Sequence, residues 1–233
     1  MTEQKDILPV DLADGGVMRR NFDKNLDELN EELTLMGSMV NDAIRRSITA
    51  LRDKDVDLAN EVIRGDEAIN AKEKDIEAMS LNILLREQPV ASDLRFVTSA
   101  LKMITDLERI ADQAADISYL NTKLKKRNYE LSDLGSIIEM AQIAMTMVED
   151  AIAAHVNGDS ELAVDVVERD LEVNGLFAKV RTEVVNDIKT EAFSAKSSLD
   201  IFLIAKYLER IGDHAENIGR RVYFSLRAEH LKN

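Results

Sequence analysis

Cysteine and tryptophan are absent from this chain of 233 residues, and proline occurs only at Pro9 and Pro89. Without cysteine, neither disulfide bonds nor thiolate metal sites can form. Proline, glycine and aromatic residues are all scarce, which disfavours a sheet-rich fold and favours long helices. The length allows a sizeable core, in one domain or in two of about 115 residues each.

A basic surplus and long apolar runs are also missing. The net charge of −14 argues against nucleic acid as the main partner, because binding to phosphates requires a basic surface. The acidic excess suits a surface that holds cations or docks onto basic proteins. No run of about 20 apolar residues predicts a membrane-spanning helix, and the polar N-terminus does not resemble a secretory signal. We therefore expect a cytoplasmic protein.

Apolar residues recur in alternating steps of four and three from Phe22 to beyond Val40, which predicts a long helix packed in a bundle. A short turn at 52–55 separates it from a second helix that reaches about Arg86. Proline at position 89 ends that helix, because it restricts the preceding residue to extended conformations. A third helix is predicted to end near Leu120.

The pattern then restarts, which indicates an internal duplication. Residues 35–70 align with 139–174, and residues 106–117 align with 207–218. We therefore predict an all-α protein made of two tandem antiparallel three-helix bundles. Its predicted parts are a disordered N-terminal tail (1–18), a first bundle (19–122), a basic linker (123–128) and a second bundle (129–233).

Four pairs of polar residues are kept in both copies, and each lies one position past the apolar seam of its helix. Since residues four apart lie above one another on a helix, each helix offers two stacked oxygen ligands. If the second and third helices of a half face each other, they form a cluster of three carboxylates and one amide. Such a cluster favours Mg, Mn, Fe or Ca ions. The predicted metal ligands are Asp66, Asn70, Glu108 and Asp112 in the first half, and Asp170, Asn174, Glu209 and Asp213 in the second.

Other interpretations stay open for these acids. They could be solvated, or paired with Arg109 and Arg210, which lie within the motif. A di-iron oxidase in a helical bundle needs Glu-x-x-His on two helices, and none of the three histidines has glutamate three residues before it. A nucleophile elbow and a Gly-rich phosphate loop are likewise not found, so we expect no enzyme.

Two basic stretches stand out in the acidic chain, at 123–127 and at Arg220-Arg221. They could bind an acidic partner or a membrane surface. Alternatively, the first is a solvated linker and the second a helix end, where cations complement the helix dipole.

Apolar residues flanking the main seam of the first helix, such as Ile44, Ile48 and Leu51, exceed what a three-helix bundle can cover. This excess predicts a homodimer.

Specific motifs resemble one known family. The sequence Leu-Glu-Arg-Ile-(Ala/Gly)-Asp occurs at 107–112 and again at 208–213, on the last helix of each half. Together with Leu35-Met36-Gly37-Ser38-Met39-Val40 and with 89–95, these motifs resemble the PhoU family over residues 20–226. The family's Glu/Asp-x-x-x-Asp metal motif maps onto Glu108/Asp112 and Glu209/Asp213. At Asn70 and Asn174, asparagine stands where the family's second motif has an acid.

The resemblance implies a cytoplasmic negative regulator of the phosphate-starvation response, peripherally associated with membrane complexes. Its expected partners are the ATPase of the high-affinity phosphate importer and the sensor histidine kinase. Two alternatives are a metal-storage or redox carboxylate bundle and a structural adaptor that works without metal.

Overall fold

The computed structural model describes residues 12–126, 134–190 and 194–231, and all regular structure in these ranges is helical. This confirms the predicted all-α class. The helices are α1 (Leu12–Asp53), α2 (Val56–Glu87), α3 (Ala91–Lys126), α4 (Gly135–Asn157), α5 (Ser160–Lys189) and α6 (Ala195–Arg227).

The turns between helices repeat in the two halves, as the duplication predicts. Asp55 caps α2 by accepting a hydrogen bond from the Leu58 N–H at 3.0 Å, and Asp159 caps α5 in the same way through Leu162. Before each cap stands a residue with positive φ, Lys54 in the first turn and Gly158 in the second. Glycine adopts this left-handed conformation without steric cost, so the second turn is the less strained of the two.

Each half is a three-helix bundle in which every helix contacts the other two, which confirms the predicted tandem arrangement. The halves join along α1–α4 and α3–α6, so these four helices form the centre of the molecule. Helices α2 and α5 lie outside, each against the first and third helices of its own half. The buried apolar side chains of both halves form one continuous core.

Close approach of α1 and α4 depends on Gly37. A Cβ atom at this position would lie 2.0 Å from Cδ1 of Ile152, so a larger residue requires the isoleucine to move. One turn further along α1, the buried Asn41 side chain donates to the main-chain oxygen of Met145 at 3.1 Å and to Glu149 Oε1 at 3.0 Å. The motif at 35–40 therefore serves the packing between the halves.

Two boundaries differ from the sequence prediction. Helix α1 begins at Leu12, ahead of the predicted start at residue 19, and the tail residues 1–11 lie outside the described residues. Helix α3 continues past Leu120 to Lys126 because Leu124 is buried and extends its apolar seam. The first residues of the predicted linker therefore belong to a helix, and 127–133 lie outside the described residues.

The apolar residues Ile44, Ile48 and Leu51 are buried within the single chain, with exposures of 0%, 8% and 1%. The argument for a homodimer from these three residues is therefore wrong, although the homodimer itself stays a prediction. Among the described residues, no helix is long and apolar enough to cross a membrane.

Candidate metal centres

Three carboxylates converge where α5 packs against α6 in the second half. One oxygen atom each of Asp170, Asp213 and Glu216 lies within 4.8 Å of the other two. Asp170 is only 6% exposed, and the other two are half-buried. Two of these residues belong to the predicted ligand set, while Glu216 does not.

Local packing positions Asp170 against α6. A Cβ atom at Gly212 would lie 3.0 Å from Oδ1 of Asp170 and 3.2 Å from Cγ1 of Val173, so the glycine makes room for the carboxylate. Asn174, one turn along α5, donates to Asp170 Oδ2 at 2.6 Å. The other oxygen, Oδ1, is buried and has no hydrogen-bond partner among the described residues. An unpartnered buried carboxylate oxygen costs free energy unless a cation or a proton satisfies it.

Burial raises the pKa of Asp170 to about 6, and the charges of Glu216, Asp213 and Glu209 add to the effect, while the hydrogen bond from Asn174 opposes it. The pKa of Asp213 is also raised, by burial first and then by Glu209, against the opposing charge of Lys206. These directions mean that the cluster resists full ionisation when empty. It therefore gains from binding either protons or a cation.

Glu209 and Glu216 each have a basic partner on α6. Lys206 pairs with Glu209, and Arg220 pairs with Glu216 through Nε at 2.8 Å and Nη2 at 2.7 Å. Glu209 was predicted as a ligand, yet Glu216 and not Glu209 completes the group of three. The sequence spacing could have revealed Glu216 as a candidate ligand. It follows Asp213 by three residues and Glu209 by seven, so all three lie on the same face of α6.

The first half contains a related but more open centre between α2 and α3. Asn70 donates to Asp66 Oδ2 at 3.0 Å, and Oδ1 of each of these two residues is buried without a hydrogen-bond partner. Burial raises the pKa of Asp66, followed by the charge of Asp112; the Asn70 bond opposes the shift and Asp116 adds to it. Asp66 and Asn70 are thus hydrogen-bonded, and Asp112 is near enough for its charge to act on Asp66. Asp116, which was not predicted, also acts on Asp66, but it is exposed and accepts a hydrogen bond from Tyr207.

Glu108 is the remaining predicted ligand of the first half. Its pKa is raised by burial and then by the charge of Asp112, while Arg109 opposes the shift. Arg109 lies 3.4 Å from Glu108 and 3.5 Å from Asp112. Among the described residues, Arg210 forms no salt bridge with Glu209 or Asp213. The interpretation that the acids pair with the arginine of their own motif therefore holds for Arg109 in the first half. It does not hold for Arg210 in the second half, as far as the described residues show.

Both centres fit a hard cation. Their donors are carboxylate and amide oxygens, which Mg, Mn, Fe and Ca ions prefer. Each centre also contains a buried aspartate oxygen that no group of the described ranges satisfies. His214 does not join the second centre, because its Nδ1 lies 3.0 Å from Asp106 Oδ1 on α3.

Comparison with known proteins gives consistent matches along the chain. The model of the PhoU domain matches twice, over residues 33–120 and 137–222. A phosphate-specific transport system accessory protein PhoU homolog from Clostridium acetobutylicum is 31% identical over 202 residues, covering 86% of this chain and 91% of that protein. The homolog from Pseudomonas putida is 33% identical over 221 residues, covering 92% and 84%.

Solved structures agree with this similarity. The crystal structure of PhoU from Pseudomonas aeruginosa superposes with a TM-score of 0.84 at 31% identity, over 89% of this chain and all of that one. The phosphate transport system regulatory protein PhoU from Streptococcus pneumoniae gives the same TM-score at 26% identity, over 91% of this chain.

Proposed function

This chain belongs to the PhoU family, and from that premise we propose that it is a metal-binding regulatory accessory protein of phosphate transport. In this role it keeps the phosphate-starvation response off when phosphate is plentiful. It acts as an adaptor between the ATPase of the high-affinity phosphate importer and the sensor histidine kinase. It works in the cytoplasm, peripherally associated with these membrane complexes, and we expect it to form a homodimer.

The observation that carries the metal part of this proposal is the convergence of Asp170, Asp213 and Glu216 around a buried, unpartnered oxygen. A more open set of the same donor types, around Asp66 and Asn70, lies at the corresponding place of the first half and supports a second site there. Bound ions would neutralise carboxylates that otherwise repel one another across α2–α3 and α5–α6. Metal would thereby hold the outer helices against the centre of the molecule, and it would stabilise the surfaces that partners contact.

The regulatory part is tested in a strain that lacks this protein and carries a reporter for the phosphate-starvation response. We expect high reporter expression in rich phosphate, restored to a low level by the wild-type protein. Unchanged expression after deletion would contradict the regulatory role.

The metal-dependent adaptor is tested separately, by capture of the importer ATPase and the kinase on the purified protein. We expect retention of both partners by the metal-loaded protein and reduced retention after chelation. Equal retention in both states favours the adaptor that works without metal. Oxidation of ferrous iron with turnover, followed by absorbance, would instead favour the storage or redox bundle.

A further inference from the structure

A cavity of about 370 Å³ lies between α3 and α6, where the two halves meet. Four cationic side chains line it: Arg95 and Lys102 from α3, and Arg220 and Arg221 from α6. No carboxylate of a described residue belongs to its lining. The cavity is therefore locally basic in a chain whose net charge is −14.

Two of the four cations have no acidic partner in the part of the chain that the structure describes. Nε of Arg95 donates to the main-chain oxygen of Ser225 at 3.0 Å, which anchors the guanidinium to α6 without neutralising its charge. Lys102 is exposed and forms no salt bridge with a described residue. By contrast, Arg221 donates to the buried Asp106 at 3.0 Å, and Arg220 is paired with Glu216. The cavity therefore keeps an unbalanced charge from Arg95 and Lys102.

A buried hydroxyl adds a second, independent observation. Ser99 lines the same cavity and is only 7% exposed, and within the described part of the chain its Oγ has no hydrogen-bond partner. The neighbouring Thr98, in contrast, satisfies its hydroxyl by donating to the main-chain oxygen of Leu94 at 2.7 Å. A buried hydroxyl without a partner is destabilising, so Ser99 gains a hydrogen bond if an acceptor enters the cavity.

We propose that this cavity binds a phosphoryl oxyanion. Arginine guanidinium groups match the oxygens of a phosphoryl group in pairs, a lysine adds a compact charge, and a hydroxyl donates to a remaining oxygen. The cavity volume lies at the lower end of the range for small-molecule pockets. The stacked rings of Phe224 and His230, with centroids 4.6 Å apart, bring an aromatic surface to its wall. The phosphoryl group could therefore be free orthophosphate or part of a nucleoside phosphate.

Calorimetric titration of metal-free, dialysed protein with orthophosphate and, separately, with ADP tests the proposal and distinguishes the two sources. We expect saturable binding of at least one ligand at millimolar concentrations or below. Arg95→Gln and Lys102→Gln should each weaken it about tenfold or more, because each removes a charged donor. Lys102 forms no salt bridge with a described residue, so its loss breaks no internal ion pair there.

Lys74→Gln is the matched control, since Lys74 is an exposed lysine on α2 outside the cavity. Ser99→Ala should change affinity and stability in different ways. It should weaken ligand binding about threefold, and it should leave the free energy of unfolding unchanged or slightly higher, because alanine has no unpaired hydroxyl. Absence of binding by both ligands would overturn the proposal. So would binding that the three cavity variants leave unchanged, or that Lys74→Gln weakens as much as Lys102→Gln.

Discussion

The two acidic centres use the same frame of helices and differ in how closely their carboxylates converge. In the second half, Asp170 is almost fully buried and meets Asp213 and Glu216; in the first half, Asp66 is only half-buried. Glu216 aligns with Ala115. The third carboxylate of the convergent group therefore has no counterpart in the first half.

A second exchange explains the difference in burial. Gly212 of α6 aligns with Ala111 of α3, and only the glycine leaves room for the aspartate carboxylate directly against the helix. The second centre should therefore hold a cation more tightly than the first, and it should destabilise the fold more when empty. A small residue at 212 and an acid at 216, about one turn apart on α6, thus distinguish the geometry of the second centre from that of the first.

Removing a central ligand should have the largest effect. Asp213→Ala should weaken metal binding in the second half about a hundredfold or more, because loss of even an indirect metal contact costs tenfold to a hundredfold. Asp112→Ala should do the same in the first half, and the double variant should bind at neither centre. Elemental analysis after dialysis, with circular dichroism to verify helicity, measures both effects.

Asp165→Ala is the control for these variants, since it removes an exposed acid of α5 that is not part of the centre. Metal should also raise the free energy of unfolding, by about 2.7 kcal/mol at a hundredfold excess over Kd. If the double variant retains as much metal as the wild type, the acidic stripes are solvated charge and neither centre binds metal.

Exchanging the residue that distinguishes the centres should have an intermediate effect. Glu216→Ala should lower the metal affinity of the second centre about tenfold, and Ala115→Glu should raise that of the first by a similar factor, since each changes the donor set by one carboxylate. Titration with a metal-sensitive dye, in a background where the other centre carries its aspartate-to-alanine change, isolates each site. Unchanged affinity in both variants would show that Glu216 is not a ligand.

The smallest expected effect concerns stability and pH in the metal-free protein. The folded-state pKa of Asp170 is raised from 3.8 to about 6, so between these values the folded state binds more protons than the unfolded state. Its free energy of unfolding should therefore fall as the pH rises through this window. Asp170→Asn should flatten this decline and stabilise the protein by about 1 kcal/mol at neutral pH.

Asp66→Asn should change stability in the same direction and by less, because Asp66 is less buried. Urea denaturation at several pH values in chelator measures both variants. A steeper loss of stability with rising pH in Asp170→Asn than in the wild type would contradict the assigned pKa direction.

Much of the fold was predictable because apolar periodicity reports which helix faces are buried, and the duplication reports where the pattern repeats. The turns at Asp55 and Asp159 followed from this. The end of α3 was not predicted, because the basic run at 123–127 is typical of a linker. In the structure Leu124 is buried, and Nζ of Lys123 lies 4.1 Å from the centroid of the Tyr119 ring, so this segment continues the helix.

The acidic centres were predictable only in part, because the two halves share some of their acidic residues and differ in others. Residues kept in both copies include Asp66, Asp112, Asp170 and Asp213, and the structure brings each to its centre. Glu216 was missed because the first half has Ala115 at the corresponding position. Residues shared by the two halves do not include those that make the second centre different.

The basic cavity was even less visible in the sequence. Arg220 and Arg221 stand out as a pair, but Arg95 and Lys102 are more than a hundred residues away along the chain. Their meeting depends on α3 packing against α6, and periodicity within each half does not determine how the halves pack together.

Glu216 contacts both an acidic group and a basic side chain, which links the candidate metal centre to the basic cavity. Its carboxylate lies within the group formed with Asp170 and Asp213, and it also accepts from Arg220 at the wall of the basic cavity. A cation bound to Glu216 would weaken the ion pair between Glu216 and Arg220. The guanidinium of Arg220 would then attract an anion in the cavity more strongly. Because linkage is reciprocal, an anion in the cavity would strengthen cation binding by the same factor. A single side chain would thus make the two ligands cooperative across about one turn of helix.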